Sequence, residues 1–154
     1  MKIAGSYSFS ASRDEVWTRL HNPATLIEII PGCQYVEQMS STEYRGAIQL
    51  RLPAIVGQYA TYVKLIDYNK PNYCQFEGRV EGASGTITGT ASFRLHETEE
   101  RLTTLDYAGQ GLITGPLARL SDRYATGLAR TLIGQGLARL EKDLQEPPLS
   151  LIHI

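Results

Sequence analysis

Histidine, cysteine and aromatic residues other than tyrosine are scarce in this chain, and each scarcity removes a class of function. The three histidines, His21, His96 and His153, stand far apart, and neither Cys33 nor Cys74 joins one at zinc-ligand spacing. No metal centre and no resident cofactor is expected. Two cysteines can pair only once, so a disulfide framework is not expected; reduced thiols in a cytoplasmic protein are. Charge of one sign is lacking too. Fifteen Lys and Arg against 16 Asp and Glu leave a net charge of -1, which gives no overall electrostatic pull toward nucleic acid or an anionic membrane. No apolar run is long enough to span a bilayer, and the stretch from Met1 to Tyr7 has no signal-peptide core. The segment Gly82-Ala83-Ser84-Gly85-Thr86 lacks the lysine of a phosphate loop and lies between strands.

What remains is a chain of 154 residues with 42% hydrophobic and 20% charged content, enough for one domain with its own core. Residues 2–9 alternate, with Ile3, Gly5, Tyr7 and Phe9 on one side, as a half-buried strand does. Ser12 reads as a helix N-cap with Glu15 completing a capping box, and Val16, Trp17 and Leu20 form the apolar side of a short helix. Asn22-Pro23 starts a second short helix, which Pro31-Gly32 ends. The period then drops to two. Strands are predicted over 34–39, 44–52, 57–68 and 73–81, then along Ile87 to Leu95 and around Leu105 to Gly109. Their hairpin-length connections argue for an antiparallel meander of about seven strands. Glycines at 78, 82, 85 and 89 suggest strong curvature.

One long helical stretch, 115–144, follows. Leu117, Leu120, Tyr124 and Leu128 share a face in its first half, and Ala129, Ile133, Leu137, Leu140 and Leu144 share another in its second. At 100° per residue the two stripes diverge by more than 90°. Either the helix kinks near Gly134-Gln135-Gly136, or its halves meet different surfaces, the first covering a cavity and the second crossing the sheet.

The fold class is therefore α+β: a curved antiparallel sheet, two short helices after the first strand, and a long C-terminal helix gripped by the sheet. The domain is placed at 1–146, with a short apolar tail at 147–154. This order is similar to that of the START-like helix-grip superfamily, and within it the chain resembles the CoxG family of carbon monoxide dehydrogenase subunits. The resemblance is carried by Met1-Lys2-Ile3 with Gly5-Ser6-Tyr7, by Val16-Trp17, by Ile30-Pro31-Gly32-Cys33 and by Glu43-Tyr44-Arg45-Gly46. Val63-Lys64-Leu65, Gly89-Thr90-Ala91 and the terminal pattern from Gly115 through Arg123, Ala129-Arg130 and Gln135 extend it. It implies a small accessory of a molybdenum-containing carbon monoxide dehydrogenase-type complex, recruiting the enzyme to the inner face of the membrane or carrying an apolar quinone to it. Members often carry a longer C-terminal extension that contacts the membrane, and two aromatics where this chain has Gly136-Leu137. The first difference weakens an anchoring role, and the second implies an enlarged or reshaped pocket.

Nine tyrosines against three phenylalanines and one tryptophan suit a site that is apolar in body and polar at its tips. The expected cavity lining from the strands is Tyr59, Val63, Leu65, Cys74, Phe76, Phe93 and Tyr107; from the helical region it is Leu117, Leu120, Tyr124 and Leu128. No catalytic residue is expected. The leading reading is a non-enzymatic binder of an apolar, quinone- or lipid-like molecule. A cyclase- or isomerase-like enzyme using the same cavity, and a pure protein-interaction module, are the alternatives. The expected partners are the apolar ligand and a molybdenum hydroxylase, with peripheral membrane contact and a homodimer admitted and nucleic acid excluded.

Overall fold

The computed structural model describes residues 1–146; the tail at 147–154 lies outside them. Strand β1 (Lys2–Phe9) leads into helices α1 (Arg13–Leu20) and α2 (Pro23–Ile29). Strands β2 (Cys33–Gln38), β3 (Glu43–Leu52), β4 (Ile55–Asn69), β5 (Tyr73–Gly82), β6 (Gly85–Glu99) and β7 (Leu102–Thr114) follow. A 3-10 turn (Pro116–Arg119) and helix α3 (Asp122–Gln145) close the described chain. The seven strands form one antiparallel sheet in the order β1-β7-β6-β5-β4-β3-β2. Each strand from β2 to β7 pairs with its neighbour in sequence, and β1 joins the far side of β7, so the chain's first strand becomes an edge.

Local chemistry sets the helix starts. Ser12 caps α1 through its hydroxyl, which accepts from the Glu15 backbone N–H. The Glu15 carboxylate does not turn back to complete the expected box. It pairs instead with Arg101 at 2.9 Å, tying α1 to the β6–β7 turn. Asn22 caps α2 by accepting from Ala24, with Pro23 at the first helical position, where its missing N–H costs nothing.

The long helix begins later than its hydrophobic pattern implies. Residues 115–121 form a separate 3-10 turn and a cap, and the α-helix starts at Asp122, where Ser121 accepts from the Tyr124 N–H at 3.1 Å. From there it runs unbroken through Gly134-Gln135-Gly136 to Gln145. The shift of stripe therefore reflects different neighbours. In the second half, Leu137, Leu140 and Leu144 join Phe9, Val16, Trp17 and Ile29 in the core. Polar ties hold the same half: Arg19 pairs with Asp143, and Gln145 donates to the Ser10 carbonyl at 3.0 Å. Gly136 lets the helices meet. A Cβ there would lie 3.3 Å from the Ile29 carbonyl oxygen, so α2 already occupies the space that the glycine leaves.

Candidate functional site

The pairing register decides which side chains face α3. Around Phe93, Cys74 stands opposite on β5 and Tyr107 opposite on β7, and Tyr107 in turn faces Gly5 on β1. Side chains alternate, so Ile3, Tyr7, Phe9, Leu65, Phe76, Val80 and Ile87 lie on the same inward face.

That face is packed most solidly at one end. Near α1 and α2 the inward residues Phe9, Leu95 and Leu105 are 0%, 1% and 3% exposed and pack with Leu140 at 0%. Toward the opposite end the inward residues Val63, Val80, Ile87 and Ile113 are only partly buried, as is Leu128 on the first half of α3. An apolar side chain that faces inward yet remains only partly buried marks a place where helix and sheet stand apart.

Glycine forms the floor of this gap. Gly78, Gly89 and Gly111 stand directly opposite one another on β5, β6 and β7, and Gly109 lies beside Ala91 in the next inward row. They line a cavity of about 180 Å³ with walls of Met1, Ile3, Phe76, Val80 and Ile87. An apolar cavity of about 150 Å³ holds one benzene-sized ring, so this volume suits one ring or a short apolar chain. A broader depression of about 540 Å³ shares Ile3, Ala91 and Gly109 with it and adds Lys2 and Arg130. A groove of about 520 Å³ runs past Lys2, Arg123, Thr126 and Arg130 along α3.

The glycines of the floor differ in what requires them. A Cβ on Gly89 would run into the Gln110 carbonyl oxygen, so the sheet's own curvature excludes a side chain there. A Cβ on Gly78 would meet nothing nearer than the Tyr62 carbonyl oxygen at 3.7 Å, an ordinary contact. Neither backbone nor neighbours demand glycine at 78, and the space it leaves belongs to the cavity.

The structure distributes the expected lining residues over three places. Leu65, Cys74, Phe76, Phe93 and Tyr107 adjoin the packed core, and of these Phe76 also lines the 180 Å³ cavity. Tyr59 is 2% exposed, its ring lies over Gly82, and its hydroxyl has no hydrogen-bond partner among the described residues. Val63 is half-buried in the middle of β4. Leu117 is buried against Gly85 in the 3-10 turn, and Leu120 is half-buried at its end. Tyr124 is 37% exposed, and its hydroxyl donates to the Pro53 carbonyl at 2.7 Å, fastening the start of α3 to the β3–β4 hairpin. Leu128 lies half-buried on α3. Sequence reasoning missed Met1, Ile3, Val80, Ile87 and the glycine floor. The cluster of strand glycines signalled curvature, but only the register shows that 78, 89 and 111 form one row.

The chemistry of the interior is subdued. Among the described residues no Asp, Glu or His lines the 180 Å³ cavity; the polar residues at it, Thr90 and Gln110, form a cross-strand pair whose side chains alternate to the other face of the sheet. Burial pushes the Cys74 thiol up to about 11, so it stays protonated at neutral pH. Burial also raises Tyr44, whose hydroxyl donates to the His21 carbonyl at 3.0 Å. Among the described residues no group of three or more His, Cys, Asp and Glu side chains could hold a metal ion. No described helix is long and apolar enough to cross a membrane.

A curved antiparallel sheet holding a long C-terminal helix, with two short helices after the first strand, defines the helix-grip, START-like class. The chain belongs to the CoxG family of carbon monoxide dehydrogenase subunits, whose model matches residues 5–145. It is similar to a conserved protein from Geobacillus kaustophilus at 24% identity and TM-score 0.89, covering 94% of this chain and 95% of that one. A START superfamily protein from Mycobacterium smegmatis aligns at TM-score 0.74 and 9% identity over 94% of this chain and 97% of that one. The protein XoxI from Bacillus cereus aligns at TM-score 0.67 and 18% identity over 94% and 96%. At these identities the solved structures establish the fold alone. No curated protein matches the chain.

Proposed function

We propose that this protein binds an apolar, quinone- or lipid-like small molecule between the glycine floor and the first half of α3, as a non-enzymatic accessory of a carbon monoxide dehydrogenase-type complex. The observation that carries the binding reading is Gly78. A glycine in a strand forgoes packing and costs backbone entropy. Here it stands where a larger side chain would fit, in the floor of an apolar cavity. The family supports the partner reading, since its model describes a carbon monoxide dehydrogenase subunit.

A cyclase or isomerase would need a general acid or base within reach of its substrate. Among the described lining residues none carries a carboxylate or an imidazole, which favours holding over converting. Native mass spectrometry of freshly purified full-length protein, paired with an organic extract, tests the reading. An adduct of an apolar compound that disappears on unfolding is expected, together with capture of a carbon monoxide dehydrogenase-type enzyme by the tagged protein. A bare protein mass with an empty extract contradicts the binding role; failure of the capture alone contradicts the accessory role.

A further inference from the structure

The apolar cavity has a charged neighbour. Met1 lines both the cavity and the groove of about 520 Å³ between the β1 edge and the first half of α3. Lys2, Arg123 and Arg130 line that groove, and Asp122 is its one carboxylate among the described residues. Asp122 lies 3.4 Å from the Met1 amino group. None of the three cations pairs with a carboxylate among the described residues. A chain of net charge -1 thus gathers positive charge beside its hollow. Arg130 reaches further, since it also lines the depression of about 540 Å³ that shares Ile3, Ala91 and Gly109 with the cavity.

Helix α3 leaves room between its cations. Arg123, Gly127 and Arg130 stand at i, i+4 and i+7, on one face of the helix. Glycine lowers helix propensity. Nothing in the fold requires it at 127: its φ is not positive, and a Cβ there would meet no atom within 4 Å. The result is a notch flanked by two arginines, whose Cα positions lie about 10 Å apart along the helix axis. Thr126 lines the same groove, and its hydroxyl oxygen is buried without a hydrogen-bond partner among the described residues. Thr131 on the same helix instead donates to the Gly127 carbonyl at 3.0 Å. A buried hydroxyl left unpaired is costly, and an anionic group entering the notch would offer it an acceptor.

We infer that the ligand of the cavity is an amphiphile with an anionic head. Its apolar ring or chain lies over the glycine floor, and its carboxylate or phosphate lies in the groove against Lys2, Arg123 and Arg130. The inference rests on the cavity reading above and narrows the class of ligand. Guanidinium groups meet carboxylate and phosphate oxygens with paired, charge-assisted hydrogen bonds. A neutral ligand would leave those donors, and the notch between them, unused.

Calorimetric titration of the full chain with monomeric decanoate, decyl phosphate and 1-decanol at low salt tests it. The two anions are expected to bind roughly tenfold more tightly than the alcohol, and added salt is expected to narrow the gap. Acetate is expected to show no measurable binding, because the apolar body anchors the head. Arg123→Gln and Arg130→Gln are each expected to weaken both anions about fivefold. Unchanged affinity of these variants for 1-decanol would show that fold and cavity persist. If 1-decanol binds the parent as tightly as the anions do, the inference is overturned while the cavity reading stands; if none of the three binds, both fall. Acetate binding as tight as that of decanoate overturns it too, by making the groove a site for free anions. So does unaltered anion binding by the glutamine variants, and their failure to capture a dehydrogenase-type enzyme would then assign the cations to a protein partner.

Discussion

Cys74 shows how a single inward residue records its surroundings. It is wholly buried among Phe9, Leu95 and Leu105, and its folded pKa of about 11 lies above the ordinary thiol value of 9.0. Between those values the unfolded chain has lost the proton that the folded chain keeps, so stability falls as pH rises from 9 toward 11. Below pH 9 the contribution is intact. Denaturant titrations at pH 8 and pH 10.5 are expected to show this loss, and Cys74→Val is expected to remove that part of it. The thiol should also resist a disulfide reagent in the native state at pH 8, since the thiolate is the reactive form. That Cys74 faces inward was legible from strand alternation. That it belongs to the packed end was not, because alternation assigns a face and says nothing about position along it. Tyr124 teaches the same lesson: its helical spacing placed it on the apolar stripe, but its hydroxyl is held by a hairpin carbonyl 71 residues earlier in the chain.

At the scale of elements, α3 carries the sharpest contrast between pattern and structure. Ser121-Asp122 is an ordinary N-cap signal, but Leu117 and Leu120 extend the apolar spacing across it, and the spacing alone reads as one rod. Pro116 and the cap at Ser121 divide the stretch. The glycines of the helix also differ in meaning. Gly136 faces the Ile29 carbonyl, whereas Gly134 has nothing within 4 Å of where its Cβ would be. Gly134→Ala is therefore expected to raise stability by about 1 kcal/mol through helix propensity. Gly136→Val is expected to lower it by about 1–3 kcal/mol by forcing α2 and α3 apart. Thermal unfolding of the two variants side by side checks the pair. The resemblance to a family with aromatics at 136–137 suggested an enlarged or reshaped pocket. The close approach of α2 fills that space, and Leu137 is 9% exposed in the core.

The whole molecule was legible in outline because its sheet is a meander. Turn residues such as Asn69-Lys70-Pro71-Asn72 mark each reversal, and a two-residue period fixes each face. Among the seven strands only β1 pairs far from its neighbour in sequence, and neither periodicity nor turn signals marked that contact. The hollow was less legible, since it arises from three glycines on different strands that meet only through register, and from a helix that packs tightly at one end. The resulting division is a solid end around Phe9 and Leu140 that supplies stability, and an open end around Gly78 and Ile87 to which the proposed ligand is assigned.

Titration of the parent protein and Gly78→Leu with a neutral fluorescent apolar probe, N-phenyl-1-naphthylamine, tests that division most directly. The parent should bind one probe. Gly78→Leu should bind at least tenfold more weakly while melting at the same temperature or higher, because leucine fills space that no other atom holds. Equal binding by the two proteins, or none by the parent, would contradict the account.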